Sequence, residues 1–255
     1  MPKPRSWLFL GSKHHRAHIG EISTEVVTPR RERRGVKILY LHGGGFVGGP
    51  FLNQWLFLAA LAKKTGYACS APDYPLAPEY PYPCALNAVL DIYDHYRAHS
   101  EIILVGDSAG GTLSLALTRK LRELGKPLPL KLVTISPLVD MELKHPQIPE
   151  IETRDLMIRA AWVHRINACY AGETPLDDPY LSAINGAHHD FPPTLVAAGT
   201  DEILYPDCLE FACKLEGEGV EVEFVKGEGM FHIWPTFTWM SEGKVALDRI
   251  VRFIG

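Results

Sequence analysis

The sequence predicts an α/β architecture: a mostly parallel eight-stranded sheet, helices on both faces, and a small lid inserted at residues 140–193. Three observations predict it. Apolar, β-branched runs alternate with segments of helical period after a short all-strand start. The run at 101–105 is short and apolar, the mark of a strand buried inside a parallel sheet. The chain has 255 residues, enough for a sizeable core, and no repeat or linker divides it. Residues 1–255 therefore read as one domain.

The elements follow in order. Residues 7–10 read as a first strand. The stretch 13–18 is polar and reads as a surface loop; its His14, His15 and His18 lack further ligands at metal-binding spacing. A second strand is expected over 22–28. Arg30, Arg31, Arg33 and Arg34, with Glu32 among them, read as a solvated hairpin turn before a third strand at 36–42. Asn53 can cap a helix carrying Trp55, Leu58, Ala59 and Ala62, which Gly66 closes. A fourth strand occupies 67–71. Residues 72–83 are too rich in proline for regular structure. A helix from Ala85 carries Ala88, Val89, Ile92 and Tyr96 on one face.

The fifth strand, 101–105, leads into Gly106-Asp107-Ser108-Ala109-Gly110-Gly111. Leu113, Leu117, Leu121 and Leu124 then mark a helix that Gly125 and Pro127 stop. A sixth strand is expected at 130–136. In the insertion at 140–193, residues 156–170 have helical spacing. A seventh strand (194–199) precedes a helix with Asp207 as its cap. An eighth strand (220–225) precedes a closing amphipathic helix capped by Ser241, with Leu247, Ile250, Val251 and Ile254 inward.

Composition narrows the function. The 26 basic and 30 acidic residues give a net charge of −4, so nothing suggests nucleic-acid binding. The five cysteines are odd in number and show no metal-type spacing, as in a reducing compartment. No signal-peptide h-region or apolar run of ~20 residues is present. The protein is expected to be cytoplasmic, without stable membrane insertion.

The chemistry centres on Ser108. It stands at a strand-to-helix turn with Gly106 and Gly110 two residues to either side, the G-x-S-x-G elbow. The spacing is not that of a dinucleotide-binding fingerprint. A serine hydroxyl needs a base, and the base needs a partner that holds its tautomer. In a parallel sheet such groups come from the C-terminal ends of strands. Among the later histidines, His232 alone directly follows the last strand; His145, His164, His188 and His189 belong to the insertion. After the seventh strand, Asp201 and Glu202 are adjacent candidates for the acid, with Asp140 a third. A developing oxyanion needs preorganised N–H donors. Ala109 supplies one, and the loop His42-Gly43-Gly44-Gly45-Phe46 can supply others; it lacks the lysine and hydroxyl of a phosphate-binding loop. Phe46, Trp162, Met230, Phe231 and Trp234 are candidate apolar walls, each equally suited to core packing.

Three motifs in order, His-Gly-Gly-Gly at 42–45, Asp-Tyr-Pro-Leu-Ala-Pro-Glu at 73–79 and Gly-Asp-Ser-Ala-Gly-Gly at 106–111, resemble the hormone-sensitive-lipase-like branch of the α/β-hydrolases. The resemblance covers roughly residues 36–255. It implies an α/β-hydrolase fold, a Ser–acid–His triad, a cap, and oxyanion donors at Gly44, Gly45 and Ala109. The 73–79 segment would be a structural brace. The family's Gly-x-x-Glu-x-Leu form, with an aspartate shortly after, matches Gly199, Glu202, Leu204 and Asp207, which selects Glu202 over Asp201. Ile233-Trp234 stands where the family often has Gly-Phe, and the short N-terminal stretch implies a reduced cap.

The expected function is a serine carboxylesterase acting on a small-molecule ester, with short acyl or acetyl groups, through an acyl-enzyme on Ser108. No cofactor or metal is required. Amide, formamide or peptide cleavage by the same triad is the alternative. A non-catalytic ligand-binding protein on a hydrolase scaffold is a further one, disfavoured because His232 is present. The edge strand at 220–225 could pair two chains into a homodimer.

Overall fold

The computed structural model describes residues 4 and 6–255. Eight strands form one sheet: β1 (Ser12–Ile19), β2 (Ile22–Pro29), β3 (Val36–Leu41), β4 (Ala68–Pro72), β5 (Glu101–Asp107), β6 (Lys131–Ile135), β7 (Thr194–Gly199) and β8 (Val222–Gly227). Their order is β1-β2-β4-β3-β5-β6-β7-β8. β1 pairs antiparallel with β2, and β2 antiparallel with β4; every later pairing is parallel.

The inner strands are buried on both faces, so successive residues feed two separate cores. Leu39, Leu41, Ile102, Leu104, Leu132 and Val196 point to one side. There they meet α2 (Cys84–Arg97), α3 (Ala109–Glu123) and α6 (Tyr205–Gly217). Ile38, Tyr40, Ile103, Val105, Val133 and Leu195 point to the other. They pack on α1 (Leu52–Thr65) and α7 (Ser241–Ile254) through Phe57, Leu58, Leu61, Leu247 and Ile250. The insertion adds α4 (Ile148–Glu152) and α5 (Ala160–Ala171) above the sheet's C-terminal end.

Several local expectations need correction. Residues 6–9 form a 3-10 turn and not a strand. The first strand lies instead in the polar 13–18 stretch. Its exposure alternates, and His14 and Arg16 both bind the buried Glu25 on β2, which pairs the polar face. The arginine cluster is no hairpin turn, because β4 lies between β2 and β3. Arg33 instead donates to the Gly255 carbonyl (2.7 Å) and lies over the Tyr67 ring. Asp207 falls in the first turn of α6, after the cap residue Leu204, and Met240 precedes α7 at the position expected of Ser241. Cys69, Cys84, Cys169, Cys208 and Cys213 are all free. Among the described residues no helix is long and apolar enough to cross a membrane, and no side-chain cluster could hold a metal ion.

Candidate active site

The C-terminal ends of β3, β5, β6, β7 and β8 converge beneath the insertion. Ser108 follows β5 directly, with φ 50° and ψ −125°. That left-handed conformation is unusual for a residue with a side chain and lifts the hydroxyl out of the strand line. The turn depends on close backbone approach: a Cβ on Gly110 would stand 2.0 Å from the Leu41 carbonyl oxygen of β3. Ser108 N–H donates to Ile135 O at 2.8 Å, tying the elbow to the end of β6.

His232 reaches back from the loop after β8. Its Nε2 lies 2.9 Å from Ser108 Oγ, and its Nδ1 lies 2.5 Å from Glu202 Oε2. Glu202 is fully buried. Its second oxygen accepts from Ser136 Oγ and from the Gly199 N–H, each at 2.7 Å. Burial acts to lower the His232 pKa, but the charge of Glu202, its hydrogen bond and the nearby Asp155 and Asp107 outweigh it, leaving it raised above 6.5. Asp201, the rival acid, points to the surface, where its Oδ1 lies 3.2 Å from Arg154 Nε. Asp140 accepts from the backbone N–H groups of Glu142 and Lys144, closing a loop in the insertion. Of the other histidines, His188 is buried beside Arg119 and held down to about pKa 4, chiefly by burial.

The glycine loop after β3 is held from two sides. Gly43 N–H donates to Asp107 Oδ1 at 3.1 Å. Asp107 is itself buried and also accepts from the Tyr40 hydroxyl and from Gln54 Nε2 (2.7 Å). The 73–79 segment approaches from outside, with Tyr74 OH donating to His42 O (2.6 Å) and Ala77 N to Phe46 O (2.8 Å). Tyr74 also stacks on His42, and burial drives the His42 pKa down to about 4, so this ring is neutral. Gly44 has φ 131°, and a Cβ there would meet Gly48 O at 2.1 Å. Only glycine fits this turn.

Gly44, Gly45, Ser108, Ala109 and His232 share one cavity of about 400 Å³. The sheet side and α1 contribute Phe46, Phe51 and Gln54 to its walls, and the insertion contributes Met157, Ile158, Trp162, Val163 and Ile166. Of the expected apolar walls, Phe46 and Trp162 line this cavity, whereas Met230 and Trp234 line a separate depression against α7.

Sequence reasoning missed Ser136 and Asp155. Ser136 carries no motif, and only its conformation (φ 49°) marks it. Its hydroxyl donates to Glu202 and accepts from the Ile233 N–H at 3.0 Å, so it joins the loops that carry Glu202 and His232.

A family model described as the alpha/beta hydrolase fold matches residues 38–236. The chain belongs to this family. An esterase of Acinetobacter venetianus is 32% identical over 228 residues, which is 85% of this chain and 73% of that protein. An acetyl-hydrolase of Streptomyces hygroscopicus is 29% identical over 241 residues, 92% of this chain and 80% of its own. A solved esterase from the bacterial hormone-sensitive lipase family superposes with a TM-score of 0.91 at 32% identity, covering 95% of this chain and 84% of that one. The motif resemblance to that branch and the hydrolase fold are thus both present in the chain.

Proposed function

We propose that the protein is a serine carboxylesterase acting on small esters with short acyl groups. The continuous contact from Ser108 Oγ through His232 to Glu202 carries this reading. In it, Ser108 Oγ attacks the acyl carbonyl carbon while its proton passes to His232 Nε2. The resulting imidazolium is stabilised by Glu202, which also keeps the Nδ1 proton in place. The oxyanion is received by the N–H groups of Gly44, Gly45 and Ala109; each such donor is typically worth about 10²–10³ in turnover. Collapse of the tetrahedral intermediate breaks the C–O bond to the alcohol, which leaves with the proton from His232. Water then attacks the acyl carbon, giving a proton to His232; the C–Oγ bond breaks, His232 returns the proton to Ser108 Oγ, and the carboxylic acid leaves.

The names of the relatives, esterase and acetyl-hydrolase, support ester cleavage and a short acyl group. The insertion would act as the cap, since it furnishes much of the cavity wall. The deciding experiment compares p-nitrophenyl esters of increasing acyl length with matched anilides. Turnover of the acetate and butyrate esters, with anilides slower by orders of magnitude, is expected. Equal or faster anilide cleavage would overturn the ester assignment.

A further inference from the structure

Asp155 lies in the insertion, between α4 and α5, far in sequence from Ser108, Glu202 and His232. Its side chain is fully buried. One oxygen, Oδ1, accepts from the backbone N–H groups of Met157 (2.8 Å) and Ile158 (2.9 Å). Both of those residues line the substrate cavity. The other oxygen, Oδ2, accepts from the Ile203 N–H at 2.9 Å, one residue beyond Glu202. A single carboxylate therefore grips the cavity wall with one oxygen and the acid-bearing loop with the other.

We propose that Asp155 is a positioning residue through which the seated insertion completes the catalytic centre, fixing the Glu202 loop and adding a further buried negative charge toward His232. The proposal rests on the triad reading above. A local turn needs only the Oδ1 contacts; the reach to Ile203 is what joins insertion to triad. Fixing that loop matters because displacements of about 1 Å in a catalytic arrangement can cost about 10²-fold in rate. The charged groups acting on His232 are Glu202 from the loop after β7, Asp107 from the end of β5, and Asp155 from the insertion. All three favour the imidazolium, and Asp155 alone comes from outside the sheet.

The test uses D155N and D155S in the full chain, with D201N as the comparison. Asparagine can keep an acceptor for Met157 and Ile158, but its NH₂ then faces the Ile203 N–H, and the charge is gone. Serine keeps an acceptor for the local turn yet cannot span to Ile203. D201N removes the charge from the exposed contact to Arg154 between the same two segments and leaves the buried one. With p-nitrophenyl acetate, kcat of a folded D155N is expected to fall on the order of 10–100-fold, with KM within about threefold, as for a contact that acts on the reaction step and not on binding. The acid limb of kcat/KM should move to lower pH, because loss of a negative charge makes the imidazolium easier to deprotonate. NMR titration of the His232 ring should show the same downward move without any turnover. D201N should change neither.

Unchanged kcat and an unmoved His232 titration in folded D155N would overturn the proposal. If D155N does not fold, D155S decides by the same readouts. Loss of fold in both would also overturn it, by making Asp155 a structural residue only. Absence of ester turnover and fluorophosphonate labelling in the wild type would instead sink the esterase reading, while the NMR titration would still judge Asp155.

Discussion

Glu202→Gln is the most informative single change. The carboxylate accepts three hydrogen bonds with no exposed surface: Ser136 Oγ and Gly199 N–H on Oε1, and His232 on Oε2. A glutamine has one oxygen and one NH₂ group. If its oxygen keeps Ser136 and Gly199, its NH₂ faces His232 Nδ1 and makes that nitrogen an acceptor. The proton then sits on Nε2, where it blocks acceptance of the Ser108 proton. If the amide is flipped, its NH₂ meets the Gly199 N–H and a buried bond is lost, at about 1–3 kcal/mol. Either way the base is compromised. The corresponding Asp-to-Asn change in serine proteases lowers kcat about 10⁴-fold, or about 5 kcal/mol at 1.36 kcal/mol per decade. A fall of about 10³–10⁴ in kcat is expected here, with little change in KM, measured by stopped assays on p-nitrophenyl butyrate. Asp201→Asn, measured in parallel, should stay within about threefold of wild type, since exposed ion pairs contribute ~0–1 kcal/mol. Near-normal turnover in Glu202→Gln, with a large loss in Asp201→Asn, would refute the assignment of the acid.

Four further outcomes are expected. Ser108→Gly should abolish turnover yet raise stability by about 1 kcal/mol, roughly 2–4 °C in Tm, because glycine accepts the φ of 50°; calorimetry checks it. Gly44→Ala should lower kcat at least about 10²-fold and stability by about 1–3 kcal/mol, since its Cβ would lie 2.1 Å from Gly48 O; turnover and urea unfolding read both. The acid limb of kcat/KM should have its midpoint above 6.5, because Glu202 and its neighbours raise the His232 pKa against the effect of burial, and activity falls as the imidazole protonates. His42 should make the fold acid-labile. Its pKa is lowered from 6.5 to about 4 by burial, so the unfolded chain binds its proton first. Stability from this group is complete above pH 6.5 and is lost as pH falls toward 4, by about 3 kcal/mol in all. Replacing His42 with asparagine should flatten that part of the stability–pH curve, as followed by urea unfolding.

The parts of this structure that were legible in the sequence are those written in local signals. Inner strands such as β5 and β7 are continuous apolar runs because both faces are covered. The elbow and glycine loop are spelled by residues that their backbone geometry requires. β1 was hidden because a two-sided polar edge strand carries no apolar alternation; its pattern is satisfied by Glu25 on its neighbour. The arginine cluster resembled a hairpin because strand adjacency is a property of the whole sheet, and β4 enters it between β2 and β3 only later in the chain. Choosing between Asp201 and Glu202 needed the register of Leu204, as adjacent carboxylates look alike until one is buried and the other faces Arg154. Ser136 and Asp155 were unreadable for a related reason. Each acts through a contact more than forty residues away, and neither stands in a spacing that chemistry dictates.

The central claim, a serine nucleophile activated by His232, is tested most directly by covalent labelling. Folded protein is treated with a fluorophosphonate, and the adduct is located by intact mass and peptide mapping. A single adduct on Ser108, lost in His232→Ala at unchanged Tm, is the predicted result. No adduct on Ser108 in protein shown to be folded, or equal labelling without His232, would contradict it.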